Sequence, residues 1–253
     1  MPTEMVSDIP VRWEEPAQGQ KRKLVIWLPG FTADKETVQT YLTQLAEAGF
    51  VALSFDPVDH GERSRIGTEA EIEPDSGSFI AQTDGKLYRH FWSIEAETAA
   101  EVPHIIDWAI SHLGVEPLIG MGGISMGGDI AVAAAGLDQR IAVVAACIST
   151  PDWLKPGSMY ELSAPNPTVQ AQYERYNPLT NLTNYQHCPA ISFQCSAADP
   201  MVPPDGAIRF VRALTSTYER YPEKLEAIIE AGVGHEVTET MWQNSLRWFK
   251  RFL

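Results

Sequence analysis

The chain of 253 residues is poor in cysteine, in basic residues and in long apolar runs. Its three cysteines, Cys147, Cys188 and Cys195, are too few and too oddly numbered for a disulfide framework, and no Cys-x-x-Cys pair suggests zinc. Reduced thiols are expected. No stretch nears the ~18 uninterrupted apolar residues of a membrane span. The start of the chain, with Glu4 and Asp8, has no apolar segment behind a basic one. Neither a membrane partner nor a secretory signal is expected, and the cytoplasm is the expected location. Lys and Arg number 19 against 33 Asp and Glu, and the resulting charge of −14 repels nucleic-acid backbones and anionic lipid surfaces. What is present is ordinary for a globular chain, with 44% hydrophobic and 21% charged residues.

Short apolar runs alternate with helical patterns. Strands are expected at 24–28, 51–55, 118–124, 141–148, 190–195 and 225–229, and helices at 34–48, 91–113, 126–135, 206–217 and from 236 onward. Asp34 is a candidate N-cap and Gly49 a candidate C-terminal glycine for the first helix. Residues 56–89, rich in Gly, Pro, Asp and Ser, are longer than an ordinary connection. Continuous apolar strands between helices predict a mostly parallel sheet with helices on both faces, as one α/β domain over 1–253. Residues 150–187 break the rhythm with prolines and aromatics and are expected to form a small cap insertion, with Trp153, Tyr160 and Tyr173 as wall residues of a substrate pocket.

Ligands of open α/β sheets bind beyond the carboxyl ends of the strands. At one such end stands Gly123-Ile124-Ser125-Met126-Gly127, flanked by Gly122 and Gly128. This is the G-x-S-x-G pattern between strand and helix, where a strained turn presents a serine Oγ and larger residues two positions either side would strike neighbouring backbone. A dinucleotide fingerprint from Gly120 would need glycine where Ser125 stands, and a phosphate loop from Gly122 would need lysine at Gly128. Both fail at a defining position.

A serine nucleophile needs a base. Downstream there are only His187 and His235; His235 follows the last strand, at the catalytic edge, whereas His187 precedes one, so His235 is preferred. Asp199, just past the strand ending at Cys195, is preferred as the acid that orients the histidine, with Asp205 more suited to capping the next helix. Asp56, Asp59 and His60 form a carboxylate–histidine group, but no second histidine lies at metal-ligand spacing, and a loop-organising role is expected. Glu95, Glu97 and Glu101 read as a solvated helix face, and Trp92 as either pocket or core.

The ordered set resembles the α/β-hydrolase family, and within it small bacterial carboxylesterases similar to dienelactone hydrolases and prolyl-oligopeptidase catalytic domains, over roughly residues 20–253. The resemblance implies that Leu28-Pro29-Gly30-Phe31-Thr32 is an oxyanion loop, with the Phe31 and Met126 amides as donors. It also implies that Asp59-His60-Gly61-Glu62-Arg63 is the family's structural His-Gly segment. Two departures stand out. Dienelactone hydrolases proper use cysteine where this chain has Ser125, and Ser196-Ala197-Ala198 replaces the usual His-Gly before the acid. The implied function is a serine carboxylesterase for a small or medium ester, without a metal or other cofactor. The alternatives are a small serine peptidase or acyltransferase, and a binding protein on a hydrolase scaffold.

Overall fold

The computed structural model describes residues 1–17, 22–64, 86–159 and 166–253. Among the described residues eight strands make one sheet: β1 Thr3–Val6, β2 Ile9–Glu14, β3 Leu24–Leu28, β4 Val51–Phe55, β5 Ile119–Ile124, β6 Ile141–Cys147, β7 Ala190–Ser196 and β8 Leu225–Glu230. Their spatial order is β1-β2-β4-β3-β5-β6-β7-β8. All neighbours from β4 to β8 run parallel, and only β1 and β2 are antiparallel to their neighbours. The helices are α1 Gln39–Glu47, α2 Lys86–Trp108, α3 Met126–Leu137, α4 Pro167–Tyr176, α5 Asp205–Leu214 and α6 Glu239–Phe252. Among the described residues no helix is long and apolar enough to cross a membrane.

Side chains of a strand alternate between faces, and β3 shows the consequence. Leu24, Ile26 and Leu28 join the core beneath α2, α3 and α5, while Val25 and Trp27 join the core beneath α1 and α6. All five are fully buried, as expected of a parallel strand covered on both faces.

The expected central strands and helices are present. The N-terminal hairpin was not expected: Val6 pairs with Ile9 across a tight turn at Ser7-Asp8, with Ser7 at φ 55°. β1 is short and mostly exposed, and its turn lacks the Asn-Gly or Asp-Gly signal of tight hairpins. The first helix begins at Gln39 rather than 34, because the Asp34 carboxylate accepts the amides of Glu36 and Thr37 in a local turn. α2 runs through Pro103 and ends in a π-helical turn closed by left-handed Gly114. Between β6 and β7, Asn166 caps α4 by accepting the Val169 amide ahead of Pro167. That segment is pinned at Leu179 N–H to the Pro151 carbonyl and at the Tyr185 hydroxyl to the Val132 carbonyl. Tyr160 and most of the long connection at 56–89 lie outside the described residues.

Candidate active site

Ser125 occupies the turn between β5 and α3 with φ 52° and ψ −119°. For a residue with a Cβ this conformation stores roughly 1–3 kcal/mol of strain and persists only where its surroundings enforce it. Here the Ser125 amide donates to the Cys147 carbonyl (2.8 Å) and its carbonyl accepts from Gly128 and Asp129. The flanking glycines are required by close approach: a Cβ on Gly123 would lie 2.6 Å from Gly127 backbone, and one on Gly127 would lie 2.5 Å from both the Leu28 and Pro29 carbonyl oxygens. Larger residues would push the elbow off β3.

His235 stands in the turn between β8 and α6. Its Nε2 is 3.1 Å from Ser125 Oγ and its Nδ1 is 2.7 Å from Asp199 Oδ2. The carboxylate partner assigns the ring proton to Nδ1, leaving the Nε2 lone pair for the serine hydroxyl. Asp199 is buried just past β7, and its other oxygen accepts the amides of Met201 and Val202 at 2.8 and 2.9 Å. Where the family pattern has His-Gly, the Ser196 hydroxyl donates to the Val233 carbonyl, tying the end of β7 to the histidine turn.

The two rejected candidates lie elsewhere. His187 is influenced by Asp138, the residue closing the far end of α3. The twelve residues of that helix put about 18 Å between its ends. Asp205 is in the first turn of α5, but it does not cap it: its carboxylate pairs with Arg209, and Pro204 holds the cap position.

The loop after β3 abuts the elbow, so that a Cβ built on Gly30 would be 3.8 Å from that of Ser125. The Phe31 ring packs against Phe91 and His60 at centroid distances of 5.0 and 5.5 Å. His60 holds this loop through both ring nitrogens. Nδ1 donates to the Val58 carbonyl (2.8 Å) and Nε2 accepts the Thr32 amide (3.0 Å). Asp56 accepts from the Lys35 amide, the Lys35 ammonium and the Glu62 amide, and Arg63 bridges the Asp56 carbonyl to Glu101. Asp56 and His60 are thus engaged in organising loops, and among the described residues no group of three or more His, Cys, Asp and Glu could hold a metal ion.

Burial lowers the pKa of His60, opposed in part by its bond to Val58. An unfolded histidine takes up its proton near 6.5, whereas folded His60 resists it. Its contribution to stability is therefore full above the ordinary histidine value and is lost as pH falls through the lowered one. The melting temperature is expected to fall more between about pH 7.5 and pH 5 in the parent than in His60→Gln. Identical pH dependence in scanning calorimetry would remove His60 as the acid-sensitive group.

Of the four aromatic residues expected near the pocket, Trp92, Trp153 and Tyr173 lie among the described residues, with Trp92 in contact with the other two. Trp92 Nε1 donates to the Trp153 carbonyl, and Trp92 and Tyr173 lie 4.6 Å apart between ring centroids. All three are buried. The expected solvated face of glutamates is corrected. Glu97 is exposed and bonds Gln172, but Glu101 is bound to Arg63 and Glu95 is completely buried. Residues two apart on a helix point roughly 200° from each other, so Glu95 and Glu97 cannot share a face.

The model of the prolyl oligopeptidase family matches residues 98–253 of the chain. A Bacillus subtilis strain 168 protein named "Putative esterase YitV" is 27% identical over 248 residues, covering 91% of this chain and 89% of its own. Among solved structures, TT1662 from Thermus thermophilus superposes with a TM-score of 0.72 at 23% identity, covering 99% of this chain and 97% of its own. A cold-adapted esterase from an Arctic intertidal metagenomic library gives 0.65 at 17%, covering 99% and 92%. At these identities the two structures speak to the fold.

Proposed function

The chain belongs to the prolyl oligopeptidase family, and from that membership we propose that it is a carboxylesterase cleaving a small or medium ester through an acyl-enzyme on Ser125. The observation that carries this reading is the hydrogen-bonded sequence from Asp199 through His235 to Ser125 Oγ. As Oγ attacks the ester carbonyl carbon, its proton passes to His235 Nε2, and Asp199 stabilises the imidazolium. Collapse of the tetrahedral intermediate breaks the bond to the alkoxy oxygen, which takes the proton from His235 and leaves as the alcohol. Water then gives a proton to His235 and its oxygen to the acyl carbon. The acid departs and Ser125 regains its hydrogen.

The Phe31 and Met126 amides are proposed as the oxyanion donors, Met126 at the amino end of α3 and Phe31 on the loop that abuts the elbow. Phe31→Pro removes one N–H and is expected to lower kcat by about 10²–10³-fold, roughly 2.7–4 kcal/mol. Phe31→Ala keeps the donor and is expected to alter mainly KM. Parental kcat in a cooperatively melting Phe31→Pro protein would place the second donor elsewhere.

Residues 150–187 are proposed to close the substrate side of this single domain, with Trp92, Trp153 and Tyr173 backing the acyl or alcohol pocket. The decisive assay is a panel of nitrophenyl esters of rising acyl length run beside aminoacyl anilides. Ester turnover well above anilide turnover supports the reading. The reverse preference would favour a peptidase, and turnover of neither would favour a binding protein.

A further inference from the structure

Beside the nucleophile lies a buried group of charges that the reaction does not use. Asp129, one turn beyond Ser125 on α3, is fully buried. Its Oδ1 accepts the Thr150 amide at 2.6 Å, and its Oδ2 lies 2.9 Å from the ammonium of Lys155. Lys155 is itself buried, in a left-handed conformation (φ 49°), with its ammonium 4.5 Å from the centre of the Phe91 ring. Glu95, one turn beyond Phe91 on α2, has no exposed surface, and among the described residues neither of its oxygens has a hydrogen-bond partner of ordinary geometry. Burial, and after it the charge of Asp129, raise the Glu95 pKa well above its ordinary value against the opposing effect of Lys155. Fully buried and without a cation of its own, since Lys155 is already paired with Asp129, the Glu95 carboxyl is favoured in its neutral form. A second buried carboxylate would be uncompensated.

The backbone around Lys155 reaches the acid. Thr150 is bound to Asp129 on the nucleophile helix. At the other end of the same loop, the Ser158 hydroxyl donates to the Met201 carbonyl and the Met159 amide to the Pro200 carbonyl, both at 2.7 Å. Met201 is one of the two residues whose amides hold Asp199. On its other side Lys155 rests on Phe91, which packs against Phe31.

Resting on the reading of Ser125, His235 and Asp199 as the reacting set, we infer that Lys155 is a positioning residue: held by Asp129 beside buried Glu95, it fixes the 149–159 loop between the nucleophile helix and the acid turn. Among the described residues its ammonium contacts Asp129 and the Phe91 ring, and Asp199 acts on it only through its charge. It acts by keeping Asp199, and through it His235, in register with Ser125, a task that sequence separation hides because Glu95, Asp129 and Lys155 come from two helices and a loop.

The test compares the parent with Lys155→Met, with Asp129→Asn/Lys155→Met and with Glu95→Gln. The readouts are kcat and KM on a nitrophenyl acetate, the rate of Ser125 phosphonylation by a fluorophosphonate, and cooperative melting. Lys155→Met keeps the aliphatic stem on Phe91 but leaves Asp129 unpaired. It is expected to lose kcat and phosphonylation rate together by up to about 10²-fold with KM little changed, the pattern of misplaced reacting groups. The double variant lacks the stranded charge and is expected to melt higher than Lys155→Met while staying slow. Glu95→Gln, which mimics the neutral acid, is expected to match the parent.

Parental kcat and phosphonylation in either folded variant lacking Lys155 would overturn the inference, as would a Glu95→Gln protein as slow as Lys155→Met. If Lys155→Met does not melt cooperatively, the double variant decides by the same rates. Loss of cooperative melting in both would show a cluster that holds the fold rather than the reacting set, and would also overturn it. A parent that itself resists the fluorophosphonate contradicts the esterase reading and not the role of Lys155.

Discussion

Ser125→Ala is expected to lower kcat on activated esters by about 10⁶-fold, because removing the nucleophile of a cooperating set costs about as much as removing the whole set. Residual catalysis would come from the proposed oxyanion donors and from binding alone. The protein should remain folded, and for a physical reason: Ser125 makes its structural bonds through its backbone, to Cys147, Gly128 and Asp129. Alanine carries the same Cβ penalty at φ 52°, so the strain in the turn is unchanged. A loss smaller than about tenfold, measured on protein free of contaminating esterase, would mean that another group reacts.

Asp199→Asn is expected to lower kcat by up to about 10⁴-fold while the fold survives. Asp199 both accepts the Nδ1 proton of His235 and is itself fixed by the Met201 and Val202 amides. An asparagine can keep its carbonyl on those amides, which presents its NH₂ to Nδ1 and stabilises the tautomer whose Nε2 carries the proton. That tautomer cannot take a proton from Ser125. Asp205→Asn removes a partner of Arg209 at the surface and should leave kcat near the parental value. If the two variants exchange these effects, the acid lies on α5 and the turn after β7 is only structural.

The parts of this molecule that sequence disclosed are those governed by local rules. The continuous apolar run Leu24–Leu28 reads as a two-sided strand because both of its faces are covered. Gly123 and Gly127 read as an elbow because only glycine fits against the backbone there. His235 follows a strand and His187 precedes one, so the shared strand direction of a parallel sheet puts them at opposite edges; Asp199 and Asp205 both follow β7, and only nearness to the strand end separates them in the sequence.

What sequence concealed depends on partners far along the chain. The hairpin of β1 and β2 carries a weak turn signal and is stabilised by pairing with β4. Residues 34–38 satisfy helical spacing, but Lys35 is drawn to Asp56 by both its amide and its ammonium, which delays the helix to Gln39. Glu95 resembled its neighbours Glu97 and Glu101, and nothing nearby announces that Asp129 and Lys155 come to meet it. A cue did exist in the helical period, which sets Glu95 on the face of Phe91 and away from Glu97.

The central claim is that Ser125 is an activated nucleophile. It is tested most directly by treating folded protein with a fluorophosphonate and mapping the adduct by peptide mass spectrometry. A single adduct on Ser125, formed at a rate that His235→Ala suppresses and accompanied by proportional loss of ester turnover, is the predicted result. A folded protein that stays unmodified, or that carries its adduct on another residue while ester turnover continues, would contradict it.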